Sequence, residues 1–405
     1  MRNRFIVLAL VVLAALSVSG LTVAQDQVQI QLAGWSANDQ ENAALQAQVD
    51  AFMEANPDVA VEVILAPEYE TFMQTGFASG DYPNVFYVDS FRLQDWASAG
   101  VLEPWGDSIT EPDDIYASLR DVFTYEEQLY CAPKDFSTLS LIYNVDMLEA
   151  AGLEVPTDWP SLAAAAEAMA TDEIAGLTTG VELPRVLPFI YQNGGTIFAE
   201  DGTIAFESDA TVEAMQFVID LYTSGAAKSP ADLGAGWAGE AFGQGLAAMT
   251  IEGNWIIQYM LDQFPDINWA VAELPSGPAG NATMVFTVCY GVAAAANNDQ
   301  LEASIRLADF LTGPEGAMMV ASSGFGVMPA RESAAETWLT TRGEEYAAFV
   351  NGAVYAQRWS FPPGFGTFID TFNSGLNEAV QGNLDAIDLV ADAAEAGVEA
   401  LEESM

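Results

Sequence analysis

The chain has 405 residues, no histidine, two cysteines and a formal charge of −47, from 58 acidic against 11 basic side chains. The lack of histidine excludes serine–histidine and cysteine–histidine nucleophile pairs, histidine general bases and the usual zinc sites, and the acidity repels nucleic acid and anionic lipid. At 51% apolar the chain is too hydrophobic for disorder, so its charge reads as a solvated surface suited to a saline exterior, with cation binding as the other reading.

Met1 to Ala24 carries Arg2 and Arg4, an apolar run from Phe5 to Leu16 and small residues ending in Ala24. That is the layout of a secretory signal, with an apolar run shorter than the roughly 20 residues of a membrane span. Cleavage is expected after Ala24, and with no cysteine in the leader no lipid attachment is expected. The remainder is long enough for two or three domains of about 150 residues each.

From Val28 the pattern alternates strand and helix, which predicts α/β layering. Val28 to Leu32 alternates as a strand, and Asn38 with Glu41 forms a capping box before a helix with Leu45, Val49 and Phe52 on its buried stripe. Asn56-Pro57 ends that helix before the strand Val59 to Leu65. A second helix spans Glu68 to Ser79 and stops at Gly80; a third strand, Val85 to Val88, leads into a helix over Phe91 to Ala99. Ligands in open α/β sheets gather where strands end, which points to Trp35, Asp89, Ser90 and Arg92. Capping of the following helix is the bland reading of Asp89 and Ser90, and core packing that of Trp35.

The stretch Tyr130 to Asn144 joins two apolar runs through Lys134, Asp135, Ser137 and Thr138 without a turn. Such a stretch continues extended, as a strand crossing between lobes would. Beyond it, helices are expected over Asp146 to Ala151 and Leu162 to Ala170, with Pro156 to Pro160 as a turn between them. Gln192 to Gly195 is a tight turn, Ala210 to Ser224 a helix opened by Ser208, and Leu246 to Ile251 a buried strand. Asn254 is placed to cap the next helix and to hold Trp255 on its first turn. Thr367 to Gly382 and Asp385 to Glu403 close the chain as two amphipathic helices, the last with an acidic face that is solvated or docks a transporter.

LSLIYN at Leu139 to Asn144, AMTIEGNW at Ala248 to Trp255, Gln192 to Gly195, Gly291 to Ala296, Ala308 to Leu311 and GVMPAR at Gly326 to Arg331 occur together and in this order. In them the chain resembles the extracellular solute-binding proteins of ABC importers, in the carbohydrate-binding group that includes maltose-binding protein. The resemblance implies two α/β lobes joined by crossing strands, an interlobe cleft and hinge closure. It places the lobes at 25–134 with 288–331 and at 135–287 with 332–405, after a signal peptide at 1–24. Crossings are implied near Cys131 to Asp135, Cys289 to Gly291 and Met328 to Arg331, so that the cysteines lie on neighbouring hinge strands. Exported chains can join such a pair, closing a loop worth at most about 5 kcal/mol; a bridge there would tune closure.

Carried over residue by residue, the resemblance puts a stacking tryptophan at Trp255, polar hinge residues at Asp135 and Ser137, and a sugar-binding acid at Glu182, where Pro184 and Arg185 replace the family's neighbouring aromatic. Trp237 in its glycine-rich loop, Tyr191, Phe365 beside Trp359 and Phe361, and Arg331 complete the candidates, with core capping as the other reading of the aromatic loop. Trp96, Trp105, Trp159, Trp269 and Trp338 are expected to be structural. Sugars suit flat aromatic walls, where burying a ring is worth roughly 4 to 6 kcal/mol gross, while each hydrogen bond nets around 1. The expected protein is an exported monomer without cofactor or metal, a binder that delivers a sugar to a permease. A polyamine binder and a secreted glycosidase using Asp89, Asp135 and Glu182 are the alternatives.

Overall fold

The computed structural model describes residues 27–36, 39–323 and 326–404. The leader and Asn38 of the expected capping box lie outside them. Among the described residues the strands are, in chain order, β1 Val28–Trp35, β2 Val59–Ala66, β3 Val85–Asp89, β4 Leu102–Glu103, β5 Thr124–Tyr125, β6 Gln128–Leu129, β7 Pro133–Asn144, β8 Ala175–Thr178, β9 Ala227–Lys228, β10 Ala247–Gly253, β11 Trp269–Ala272, β12 Thr283–Ala293, β13 Met328–Pro329 and β14 Ala356–Arg358.

One sheet path runs β2-β1-β3-β12-β7-β10-β8-β9. Its first part begins as a parallel unit: β1 pairs with β2 from Val28↔Val59 to Trp35↔Ala66, across the helix Asp39–Ala55. That helix is followed by another, Tyr69–Ser79, which stops where Gly80 turns left-handed at φ 74°. The helix expected from Phe91 starts later, at Leu93, because Asp89 and Phe91 form a turn first.

β7 belongs to both halves of the sheet, and this makes the crossing. Its first residues pair with β12 (Val288↔Asp135, Val285↔Thr138) and β13 (Met328↔Phe136). Its last residues pair with β10 (Glu252↔Ser140) and β11 (Val271↔Ile142). The apolar run in LSLIYN therefore serves a strand buried on both faces. Cys131 and Cys289, at the first-lobe end of this crossing, form a disulfide with Cα atoms 5.8 Å apart.

Each half has its own apolar centre. Leu32, Phe52, Phe86, Trp105 and Phe136 lie in one cluster; Leu141, Leu177, Phe206, Met249 and Phe372 lie in the other. Trp338 and Phe349 pack in the first of these, so the chain does not change halves at Met328 to Arg331, where the third crossing was expected. Trp96, Trp105, Trp159 and Trp338 are buried, and Trp269 packs half-buried against Tyr346.

Two local expectations change in the second lobe. The segment expected as a turn at Pro156 to Pro160 already contains a helix start: Trp159–Met169 is opened by a capping box between Asp158 and Ser161, with Pro160 in the first turn, where its missing N–H costs nothing. Asn254 does not cap its helix through its side chain; its amide donates to the Gly326 carbonyl at 2.7 Å instead. Ser208 caps as expected, its hydroxyl accepting from the Thr211 N–H at 3.2 Å.

Candidate functional site

On the first lobe, β1 and β3 end at Trp35 and Asp89. Trp35 stands edge-on to Tyr87 at 4.9 Å and to Tyr69 at 5.6 Å, and the Tyr69 hydroxyl donates to the Tyr87 carbonyl at 2.6 Å. Asp89 and Asp135 both register with Val288, one from each side, so their side chains share a face and a row across the sheet. Asp89 accepts the Phe91 N–H at 2.8 Å, yet burial pushes its carboxyl up to about 6. Ser90 is buried with its hydroxyl unpartnered. Arg92 pairs with Glu70 at 3.2 Å and lies 5.1 Å from the centre of the Phe91 ring.

Asp135 is ion-paired to Lys134, whose ammonium lies 4.8 Å from the centre of the Tyr87 ring. Burial opposes charge on Lys134, but the attraction of Asp135, Tyr87 and Glu41 outweighs it and raises its pKa. These groups, with Gln48 and Tyr290, bound a small cavity of about 20 Å³. Glu41 in its wall is pushed up to about 7, chiefly by burial. Ser137 is buried where β7 pairs with Phe286.

The second-lobe wall forms where β10 ends. The Trp255 indole N–H donates to Glu252 Oε2 at 3.0 Å, and Arg185 Nη2 donates to the same oxygen at 3.2 Å. The Arg185 guanidinium stands 5.3 Å from the Trp255 ring centre and 5.8 Å from that of Phe286. Glu182, just before the helix Leu183–Gln192, has Oε1 3.8 Å from Arg185 Nη1. Gly253 is required here, since a Cβ on it would lie 2.2 Å from the Trp255 ring. Burial raises the Glu252 carboxyl and the Arg185 charge opposes that rise.

A row of rings joins the walls. Phe91 of the first lobe stacks with Trp359 at 5.9 Å and 24°, Trp359 meets Phe286 at 6.4 Å, and Phe286 meets Trp255 at 5.8 Å. Beside it runs an open groove of about 610 Å³ bounded by Gln94, Asp121, Tyr191, Phe198, Arg358 and Phe361. The Tyr191 hydroxyl there is pushed up to about 12 by burial.

Three expected site residues lie elsewhere. Arg331 is buried, and its guanidinium donates to the carbonyls of Thr312 at 2.6 Å, Glu111 at 2.8 Å and Thr110 at 2.6 Å. It thus satisfies the last carbonyl of the helix Asn298–Thr312 and ties the segment Met328 to Arg331 to the first lobe. Phe365 is buried between Phe361 at 5.4 Å and Phe368 at 4.7 Å, in the second-lobe core. Trp237 packs edge-on to Tyr259 at 4.9 Å, its ring over Gly239, so the small residues of its loop make room for the ring instead of freeing it.

Phe91, Phe286, Arg185 and Glu252 stand beside the wall residues without having been among the sequence candidates, whereas Trp359 was named there beside Phe365. Glu252 carried a signal, since it lies inside the AMTIEGNW segment, three places before Trp255. Phe286 carried none, because only the register of β12 brings it beside the crossing. Among the described residues no group of three or more Cys, Asp or Glu could hold a metal, and no helix is long and apolar enough to cross a membrane.

The model of the family described as bacterial extracellular solute-binding protein matches residues 36–318. The ABC substrate-binding protein of Listeria monocytogenes solved with cycloalternan superposes with a TM-score of 0.81 at 26% identity, over 93% of this chain and 100% of that one. The GacH receptor of Streptomyces glaucescens, solved unliganded and with acarbose, gives 0.81 at 24% identity over 94% and 100%. The multiple sugar-binding protein of Streptococcus mutans is 20% identical over 318 residues, 71% of this chain and 72% of that protein. With the family model matching residues 36–318 and the fold shared over 93% or more of the chain, the protein belongs to the bacterial extracellular solute-binding proteins and has their two-lobe α/β fold.

Proposed function

We propose that the protein binds a sugar or oligosaccharide between its lobes and delivers it to the permease of an ABC importer. The observation that carries this reading is the ring row Phe91–Trp359–Phe286–Trp255, which runs from one lobe to the other with carboxylates and arginines at its edges. Aromatic faces match the C–H faces of a pyranose, and the charged edges match its hydroxyls. The sugars named with the relatives agree with it, as do the binding roles those relatives carry in place of enzymatic ones.

In this reading Trp255, Trp35, Asp89, Ser90, Arg92, Asp135, Ser137, Glu182 and Tyr191 line or support the ligand. The leader at 1–24 is removed on export, the monomer works without cofactor, and the lobes divide at 134/135 and 287/288, with the last change of lobe falling after Ala353 rather than at 331/332. Tryptophan fluorescence of the mature protein, titrated with mono- and oligosaccharides, tests it: a saturable change with a sugar recovered intact supports the binder, and cleaved sugar overturns it.

One observation favours a cationic solute such as a polyamine as the second reading. Burial pushes Asp89 up to about 6 and Glu41 up to about 7, so a ligand cation beside them would relieve buried carboxylates. A response to spermidine alone, growing as pH rises through 6 to 7, would select that reading.

A further inference from the structure

Arg185 lies three places after Glu182, and its surroundings are built around it. Nη2 is engaged by Glu252, which is itself fixed by the Trp255 indole. Nε is buried and has no acceptor. Nη1 faces Glu182 across 3.8 Å, wider than the roughly 3.2 Å limit of a direct hydrogen bond. A guanidinium carries five donors in a fixed fork, so this one keeps donors without a direct acceptor beside the half-buried aromatic row.

We propose that Arg185, held between Glu252 and Glu182 against the Trp255 face, is a specificity-determining contact that reads adjacent hydroxyls of a neutral sugar and rejects uronates. The proposal rests on the saccharide-binding reading above. A hydroxyl both accepts and donates, so one that accepts from Arg185 can donate to Glu182 across the gap, and its neighbour can accept from Nε. A carboxylate can only accept. It would meet one cation already shared by two carboxylates, so the local balance is negative and repulsion supplies the discrimination. The stacking of Arg185 on Trp255 and Phe286 holds the fork in place.

The experiment is a calorimetric titration of the mature protein with maltotriose, cellotriose and xylotriose, each beside the same trisaccharide carrying a terminal uronate. Wild type is expected to bind a neutral form about tenfold or more tighter than its uronate counterpart, and Glu182→Gln to shrink that ratio at least about threefold. Arg185→Met is expected to lose about tenfold on the neutral sugar, and Arg185→Lys to recover little of it, because an ammonium lacks the fork. Glu182→Gln is the decisive variant: Glu182 does not bond Trp255, so a purely structural role of Arg185 would leave its ratio unchanged. Equal binding of neutral and uronate forms, or a ratio unmoved by Glu182→Gln, overturns the proposal while the sugar reading stands. Failure of every trisaccharide in the panel to bind overturns both.

Discussion

Two buried ion pairs flank the crossing, and they differ in what surrounds them. Lys134–Asp135 is enclosed: Tyr87, Tyr290, Glu41 and Gln48 close round it, and the Lys134 ammonium is spread over the Tyr87 ring as well. Arg185–Glu252 is also buried, its side chains 14% and 3% exposed, and stacks on Trp255 and Phe286, but it keeps one guanidinium nitrogen without an acceptor at its edge. Charge pairs alike in chemistry therefore have different work. An enclosed pair must be complete for the fold to stand, whereas a pair with an open edge can take part in recognition.

The largest expected effect tests the enclosed side. Replacing both cysteines (Cys131→Ser with Cys289→Ser) opens a loop of 158 residues next to Lys134, and the chain-entropy model puts the loss at up to about 5 kcal/mol. Denaturant unfolding of the oxidised protein and the double variant measures it. A loss below about 1 kcal/mol would mean that the crossing strands hold their register without the bridge. Lys134→Met should cost about 3 to 5 kcal/mol at pH 8, since Asp135 and Glu41 would stay buried without their cation. The cost should shrink towards pH 5, because Glu41 is pushed up to about 7 and takes up a proton below that. A cost equal at both pH values would place the carboxylates in water and undo the contrast.

On the open side the expected effect is in binding. Trp255→Ala should weaken a bound sugar by tenfold or more, about 1.4 kcal/mol. Calorimetry of that variant against wild type checks it. Undiminished affinity would remove the stacking role of Trp255 and leave Arg185 without its platform.

What was legible in the sequence divides along the same line. Strand alternation and helix stops gave the βαβ start and the closing helices, because local burial patterns and caps act within a few residues. The unbroken run Tyr130 to Asn144 foretold β7, since a chain without turn residues between two apolar runs has nowhere to fold back. Side chains whose role depends on distant partners were not legible. Arg331 looked like a binding arginine, but the carbonyls it serves come from Thr110, Glu111 and Thr312, segments that meet only in the fold. Trp237 looked free because its loop is small, though small residues also let a ring settle. Phe91, Phe286 and Trp359 come from three separate segments, and no local pattern announces their row.

Asp89 sits at the boundary between the two environments. It accepts one backbone N–H and shares its row with Asp135, and burial pushes its carboxyl from an ordinary 3.8 up to about 6. The raised value means that the folded protein holds this proton more tightly than the unfolded chain does. Its contribution is fully present below about pH 4 and is lost as pH rises through 6. Asp89→Asn removes the titration, so the stability of wild type relative to the variant should fall between pH 4 and 6 and stay level above. Glu41 titrates in both proteins, up to about 7, and cancels in that difference. Unfolding midpoints collected from pH 4 to 8 would show it. A flat difference would place Asp89 with the solvated carboxylates, and with it the boundary of the enclosed region would move back from the end of β3 to the Lys134 cavity.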